Sequence, residues 1–402
     1  MLDIKFIRKN QEEVRRNMIH RGYNPKILDK LLLADEIRSQ NISELEEMRS
    51  QINQASKKNS QPDSEIIEKL KRLKLTIKDR EADLEKNQKN FLELMLKIPN
   101  ITLPEVPRGG KENNKIVRES GTKPAIGGDY LKIAEKLDLL DLERAGKISG
   151  SGFAFLKNQL VILEFALIQF AFQELIKKGF TPILPPILIK KEALQGAGFP
   201  WEEVYKLEKE DLYLIGTSEQ AMLAMHKDEI IPEKELPKRY VAFSPCFRKE
   251  AGSYGQDVKG IFRMHQFDKI EMFSFCHPRD SQKEHARLVS LEEDLMQQIG
   301  LPYRLVHLAS ADSGISSAST FDIETWFPSQ NQYRETHSCS NCLDFQSRRL
   351  NIRYRPQEFL HTLNGTVFSQ RPLIAILENF IQKDGSIKIP KVLQKYTAGE
   401  KI

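Results

Sequence analysis

The chain has 402 residues, of which 40% are hydrophobic and 29% charged, and its formal net charge is +5. This size implies two or three domains, and the composition is that of a globular protein rather than a disordered or collagenous one. Four cysteines exclude a disulfide-framed scaffold, the charged start MLDIKFIRKN has no apolar h-region, and no apolar run of about 18 residues predicts a membrane span, so a reduced cytoplasm is the expected compartment.

In chain order, the first pattern is a seam. Ile27, Leu31, Ala34, Arg38, Asn41, Leu45, Met48, Ile52 and Ala55 fall at alternating steps of four and three. Ile66, Leu70, Leu73, Ile77, Arg80, Leu84, Asn87, Phe91, Leu94 and Ile98 do the same. Such a period predicts one narrow heptad stripe on each of two helices, over about 27–55 and 66–98. Pro62 and its polar neighbours break the helix between them, so the pair folds back as an antiparallel coiled coil. At about 1.5 Å per residue each helix is about 45 Å long, an arm rather than part of a compact core. The polar seam residues fix register, with Arg38 near Asn87. Lys69, Lys71, Arg72, Lys74, Lys78 and Arg80 crowd one stretch of the second helix, and Lys57 and Lys58 lie across the turn. A basic stripe on a projecting arm suits the phosphates of a nucleic acid, while a solvated helix face is the plainer alternative.

IPNITLPEVPRGGKENN is rich in Pro, Gly and Asn and reads as the end of the arm. The expected division is therefore 1–105 for the arm domain, 106–124 for a linker and 125–402 for a second domain. GDYLKIAEKLDLLDLERAGKI reads as a helix, and the run from Leu156 to Lys178 as a long core helix ended by Gly179. TPILPPILI, RYVAFSPCF, IFRMHQFDKIEMFSF and YRLVHLA read as strands. Strands interleaved with helices predict an α+β domain.

Three clusters in that domain carry chemistry. In CFRKEAGSYGQDVKGIFRMHQFDKIE (246–271), Arg248 and Glu250 share one face of the first run. Arg263, Phe267, Lys269 and Glu271 share one face of the second. Buried charges are costly unless paired or bound to ligand, so these faces should line a site. Arginines fork onto phosphate oxygens and a phenylalanine stacks a base. In YRETHSCSNCLDFQSRR (333–349), Glu335 and Ser338 offer oxygens suited to Mg²⁺. Cys339 and Cys342 form a single CxxC beside His337, short of the four ligands of a zinc site. LHTLNGTVFSQRPLIAILENF (360–380) reads as strand, Gly365, then a helix with Arg371 near its start, an arrangement suited to an anion. Taken singly, each cluster is equally explained by a surface ion-pair network.

Taken together and in this order, the clusters resemble the signature motifs of the class II aminoacyl-tRNA synthetases. GFTPILPP, ending at Pro186, resembles the dimer-interface motif, CFRKEAG…FRMHQFDKIE the ATP-binding motif, and LNGTVFSQRPLIAILE the third motif with its arginine. IGTSEQ, YRETHSCSNCLDFQSRR, LHTLNGT and the N-terminal hairpin are similar to the seryl-tRNA synthetase family over essentially the whole chain. The resemblance implies an α+β fold with an antiparallel sheet, flanking helices and a preceding coiled-coil arm. It implies activation of L-serine by ATP with Mg²⁺, and transfer to the 3′ end of tRNA(Ser), with tRNA(Sec) as a further substrate. It also implies a cytoplasmic homodimer with Pro186 at the interface, one subunit's arm holding a tRNA whose acceptor end enters the partner's site. A non-catalytic tRNA-binding paralogue and an amino acid:carrier-protein ligase are the alternatives. The long arm speaks against the ligase, and intact Arg248, Glu250, Glu271, Glu335 and Arg371 speak against the paralogue.

Carried over by motif position, Arg248, Glu250, Arg263 and Arg371 are the implied catalytic residues, with Arg248 on the α-phosphate and Arg371 at the γ-phosphate end. ATP would also meet Lys249, Met264, Phe267, Glu335, Thr336, His337 and Ser338, with Glu335 and Ser338 holding Mg²⁺. Thr217, Ser218, Glu219, Glu271, Asn364 and Thr366 would receive serine, and Lys69, Lys71, Arg72 and Lys74 would contact tRNA. The sequence departs from the family pattern at three places. Asn364 to Arg371 is one residue short, Tyr254, Gln256 and Lys259 replace a small residue and arginines, and Gly152 stands where arginine is usual.

Overall fold

The computed structural model describes residues 1–58, 64–198, 203–250 and 260–402, without the side chains of 56–58 and 66. Pro62, Trp201, Gly252, Tyr254, Gly255, Gln256 and Lys259, and the side chains of Lys57 and Lys58, therefore lie outside the described residues. The chain divides into two compact units, Met1–Pro99 and Asn100–Ile402.

The first unit opens with two short helices, α1 (Ile4–Lys9) and α2 (Gln11–His20), and continues into the long pair α3 (Lys26–Lys58) and α4 (Ser64–Met95). Asp3 caps α1 by accepting from the Lys5 N–H at 2.7 Å. The heptad reading of the long pair holds residue by residue. Leu31, Ala34, Asn41, Leu45, Ile77 and Phe91 are buried, Arg38, Met48, Ile52, Leu70, Leu73, Arg80, Leu84 and Asn87 are half-buried, and their neighbours on the other helix faces are mostly exposed. Polar residues make contacts both within and across the pair. Arg38 donates to Asp35 at 3.3 Å and lays its guanidinium over the Phe91 ring at 4.6 Å, so its aromatic partner lies one turn beyond the expected Asn87. Arg49 reaches Glu81 at 2.6 Å and Arg80 reaches Glu44 at 3.5 Å, which confirms antiparallel register. Lys69, Lys71, Arg72 and Lys74 are all exposed on α4.

The second unit is built on an eight-stranded sheet. In chain order its strands are β1 (Lys115–Ser120), β2 (Thr181–Ile183), β3 (Lys238–Phe247), β4 (Gln266–Cys276), β5 (Tyr303–His307), β6 (Ser319–Phe327), β7 (Gln332–Asn341) and β8 (His361–Ser369). Their spatial order is β1-β5-β6-β7-β8-β4-β3-β2, antiparallel throughout except for the parallel pair β2 and β3. Helices α5 (Gln159–Lys177), α6 (Ser218–Ala224), α7 (Ser281–Ile299) and α8 (Gln370–Asn379) flank it. The main core joins Leu163, Leu167 and Phe170 of α5, Leu288 and Leu295 of α7, and Ile374 of α8 to Met272 and Val367 of the sheet.

Three expectations need correction. The presumed linker 106–124 contains β1, whose backbone pairs antiparallel with β5, and Asn100 and Leu103 already donate to Ile315 O and Ala318 O at 2.9 Å each. The single helix read over GDYLKIAEKLDLLDLERAGKI is two, Tyr130–Lys136 and Leu142–Ser149, because Asp138 adopts φ 51° and Asp141 caps the second by accepting from the Arg144 N–H. The run IFRMHQFDKIEMFSF becomes strand only at Gln266, so Arg263 comes from the turn before β4. Helix α5 is the core helix the sequence predicts, although by length and composition alone it is apolar enough to cross a membrane. One face of α5 supplies the core, while Ile162, Phe165 and Ile176 are exposed on another.

Candidate active site

A cleft of about 730 Å³ opens over the sheet, lined from β4, β7, β8 and the segments that follow β3 and precede β4. Its walls bring together Arg248, Glu250, Arg263, Met264, Phe267, Glu335, Thr336, Ser338, Thr366 and Arg371 from separate stretches of chain. They also include Phe262, Lys269, Ser369 and Gln370, which the motif reading did not assign.

Two irregularities in the sheet make this convergence possible. Side chains alternate along a strand, so Glu335 and Ser338, three apart, belong on opposite faces. The register of β7 against β6 shifts between Ile323 and Glu324, leaving Thr336 opposite no residue, and both side chains reach the cleft. The register of β8 against β4 likewise shifts between Thr366 and Phe368, so Thr366 and Ser369, also three apart, both line it. Thr366 then stands opposite Glu271, and Ser369 opposite Lys269.

At one end the groups suit a nucleotide. Arg248 lies just past β3, its Nε donating to Gly216 O at 3.0 Å and its guanidinium 5.3 Å from the Phe267 ring centre. Its N–H donates to His265 O at 2.9 Å, which ties the two ends of the intervening loop together. Glu250 adopts φ 47°, and its carboxylate accepts from Arg263 at 3.0 Å. Arg371 follows Ser369, the cap of α8, and pairs with Glu335 at 3.2 Å while lying 5.0 Å from the Phe262 ring centre. The short Asn364–Arg371 spacing thus leaves Arg371 on the cleft wall. Desolvation by the cleft walls opposes ionisation of Glu335, although 51% of its side chain is exposed, and Arg371 holds its carboxyl below the usual range. Asp322, behind Ser338, has one carboxylate oxygen buried without a hydrogen-bond partner, and burial and Glu335 push its carboxyl well up. Oxygen donors of this kind fit a hard divalent cation, although among the described residues no three His, Cys, Asp or Glu side chains converge to hold one unaided.

Two residues expected to meet ATP are elsewhere. His337 is buried, bonds Thr336 Oγ1 at 2.8 Å and packs edge-on against Phe368; burial pushes its imidazole down to about 4, so it is neutral near pH 7. Lys249 is absent from the cleft walls, donating its N–H to Glu203 O at 3.0 Å. Cys339 and Cys342 are buried free thiols. Gly152 adopts φ 80°, and any β-carbon there would come within 2.6 Å of the His265 ring, so no arginine fits at this position.

Next to the cleft-lining Lys269 and Thr366 lies an acidic, closely hydrogen-bonded cluster. Glu271 is buried on β4, and its Oε2 accepts from Thr217 Oγ1 at 2.6 Å, Ser218 Oγ at 2.5 Å and the Ser218 N–H at 3.0 Å. Its Oε1 pairs with Lys269 Nζ. Burial opposes its charge, but Lys269, Ser218 and Thr217 keep the carboxyl below the usual range. Glu219 accepts from Gln346 at 2.6 Å and Asn364 at 2.7 Å, and burial pushes it up to about 7. All six residues expected for serine therefore cluster around Glu271 and Glu219. Lys269 was legible in the strand alternation. Gln346, Asp322 and Phe262 carried no motif signal and join the site only through strand pairing and packing.

Comparison with known proteins agrees with this geometry. Residues 1–102 match the family described as seryl-tRNA synthetase N-terminal domain, and residues 203–380 the tRNA synthetase class II core domain (G, H, P, S and T). The chain is 43% identical to the serine–tRNA ligase of Nitrosopumilus maritimus over 420 aligned positions, covering 100% of both chains. It is 40% identical to that of Thermobifida fusca over 410, covering 98% and 97%. Among solved structures, it superposes on seryl-tRNA synthetase from Pyrococcus horikoshii complexed with ATP with a TM-score of 0.90, 38% identity and 100% and 99% coverage. It superposes on the cytoplasmic serine–tRNA ligase of Naegleria fowleri in complex with AMP at 0.86, with 34% identity and 98% and 97% coverage. With both domains matched, relatives at 40–43% identity over their full length and the class II motif arginines gathered in one cleft, the chain belongs to the seryl-tRNA synthetase family.

Proposed function

We propose that this chain activates L-serine with ATP and transfers it to tRNA(Ser), with tRNA(Sec) as a second acceptor. The observation that carries the reading is a cationic cleft adjoining a buried acidic cluster. Arg248, Arg263 and Arg371 line the cleft from three separate segments, and a buried, hydrogen-bonded Glu271 stands two residues beyond the cleft-lining Lys269 on β4.

In the first step a serine carboxylate oxygen attacks the α-phosphorus, the bond to the bridging oxygen breaks, and pyrophosphate leaves. Arg248 and Arg371 neutralise phosphate charge, Phe267 stacks the adenine, and Glu271 and Glu219 orient the serine ammonium and hydroxyl with Thr366. Glu335 and Ser338 would hold Mg²⁺, which when bound neutralises phosphate charge. In the second step a ribose hydroxyl of the tRNA end attacks the acyl carbon and AMP leaves. Lys69, Lys71, Arg72 and Lys74 on the exposed face of α4 supply phosphate contacts.

The active unit is a homodimer in the cytoplasm. Support for the dimer is the apolar surface of α5 and its surroundings, where Ile162, Phe165, Ile176 and Leu184 are exposed beside Pro186. Serine-dependent exchange of labelled pyrophosphate into ATP, with threonine, alanine and glycine as controls, tests the reading. Exchange with serine alone is expected. No exchange with any amino acid overturns it.

A further inference from the structure

Lys269 has no task in the reaction as described so far, yet it stands at the centre of the cleft. It occupies the position on β4 between Phe267 and Glu271 and is paired across the sheet with Ser244 on β3 and Ser369 on β8. Its side chain is only 13% exposed and lines the cleft. Its charge favours ionisation of Glu219 and Glu271 at the amino-acid end and of Glu335 at the nucleotide end, so it spans the two.

Glu271 cannot simply add a second cation. Its Oε2 already accepts three hydrogen bonds, and its Oε1 pairs with Lys269. An amino-acid ammonium directed at Glu271 therefore meets Lys269 at Oε1, and two ammonium groups sharing one carboxylate charge repel each other. The neighbouring carboxyl is already engaged, since Glu219 Oε1 accepts from both Gln346 and Asn364. The remaining direction for Lys269 is along the cleft, toward Arg248 and the phosphate end.

Resting on the serine-activation reading, we propose that Lys269 is a catalytic residue that exchanges places with the substrate ammonium. Serine takes Oε1 of Glu271, and the displaced lysine ammonium moves onto the non-bridging oxygens of the α-phosphorus under attack. Lys269 keeps its proton throughout. The bond formed joins the serine carboxylate oxygen to phosphorus, and the electron pair of the broken bond leaves with pyrophosphate. Part of the serine binding energy is spent on moving a charge to where it is needed only in the transition state.

The exchange makes two predictions that a merely structural ion pair does not. First, in the unaltered protein, α,β-methylene-ATP gives the displaced lysine a phosphate partner, so titration calorimetry should find serine binding roughly 10-fold tighter with the analogue than without it, a typical coupling. Second, Lys269→Gln removes the competitor, so serine alone should bind as tightly as before or tighter, the analogue should no longer help, and kcat for pyrophosphate exchange should fall by about 10²- to 10³-fold. Lys269→Arg should recover part of kcat. Serine affinity unaffected by the analogue in the unaltered protein overturns the exchange, as does a Lys269→Gln enzyme with weakened serine binding and unchanged kcat. The unaltered protein run alongside separates the two readings, since absence of serine-dependent exchange there sinks serine activation itself.

Discussion

Replacing Glu271 by glutamine removes one charge from the cleft floor while keeping the shape of the side chain. The amide oxygen can still accept from Thr217 and Ser218, which now donate at 2.6 and 2.5 Å, so the local fold should persist. Truncation to alanine is a poorer probe, because it also leaves Thr217 and Ser218 without an acceptor, whereas either change removes the counter-charge of the largely buried Lys269. The glutamine variant instead loses a charge-assisted hydrogen bond to the serine ammonium, worth about 1.5–3 kcal/mol. That converts to a rise of roughly 10- to 150-fold in the serine KM, since each 1.4 kcal/mol or so is tenfold. Arg248, Phe267 and Arg371 are untouched, so ATP affinity should change by less than about 3-fold, under 1 kcal/mol. The assay is pyrophosphate exchange with serine and ATP varied separately, backed by calorimetric binding of ATP. Equal losses for serine and ATP, or a serine KM within a few-fold of the unaltered protein, refute the placement of serine on Glu271.

The protonation of Glu219 predicts a pH signature. Its folded pKa of about 7 lies above its ordinary 4.5, so between these values the folded chain holds a proton that the unfolded chain has lost. Its effect is nil below about 4.5, and stability falls as pH rises toward 7, by an amount on the order of 3 kcal/mol. Urea unfolding of the unaltered protein against Glu219→Gln should show the gap shifting by that amount between pH 4.5 and 8, and a pH-independent gap refutes the assignment. Neutralising Lys69, Lys71, Arg72 and Lys74 together should flatten the slope of log affinity for tRNA against log salt by about 3, while leaving pyrophosphate exchange unchanged; an unchanged slope removes them from the interface. Phe165, 59% exposed on α5, should become lethal to dimerisation when changed to lysine, and sedimentation velocity showing an unchanged dimer would move the interface elsewhere.

The sequence alone determined what depends on local periodicity and side-chain type. The four-and-three spacing from Ile27 to Ile98 specified two antiparallel helices because only a heptad seam keeps those residues in one stripe, and the structure buries those positions ahead of their neighbours. The chemical types in the three clusters announced a phosphate-binding site beside a carboxylate, and strand alternation alone put Phe267, Lys269 and Glu271 on one face. Tertiary structure decided everything that alternation gets wrong. The register shifts near Ile323 and Thr366 turn Glu335 with Ser338, and Thr366 with Ser369, onto the same side, and bulges are set by which strand lies opposite. Lys115–Ser120 reads as linker because its edge position exposes its side chains, and only its pairing with Tyr303–His307 makes it a strand. His337 turns away from the cleft and Gln346 reaches Glu219 for the same reason. Proximity across a sheet depends on partners up to 192 residues apart, as for Lys115 and His307, and no local pattern encodes it.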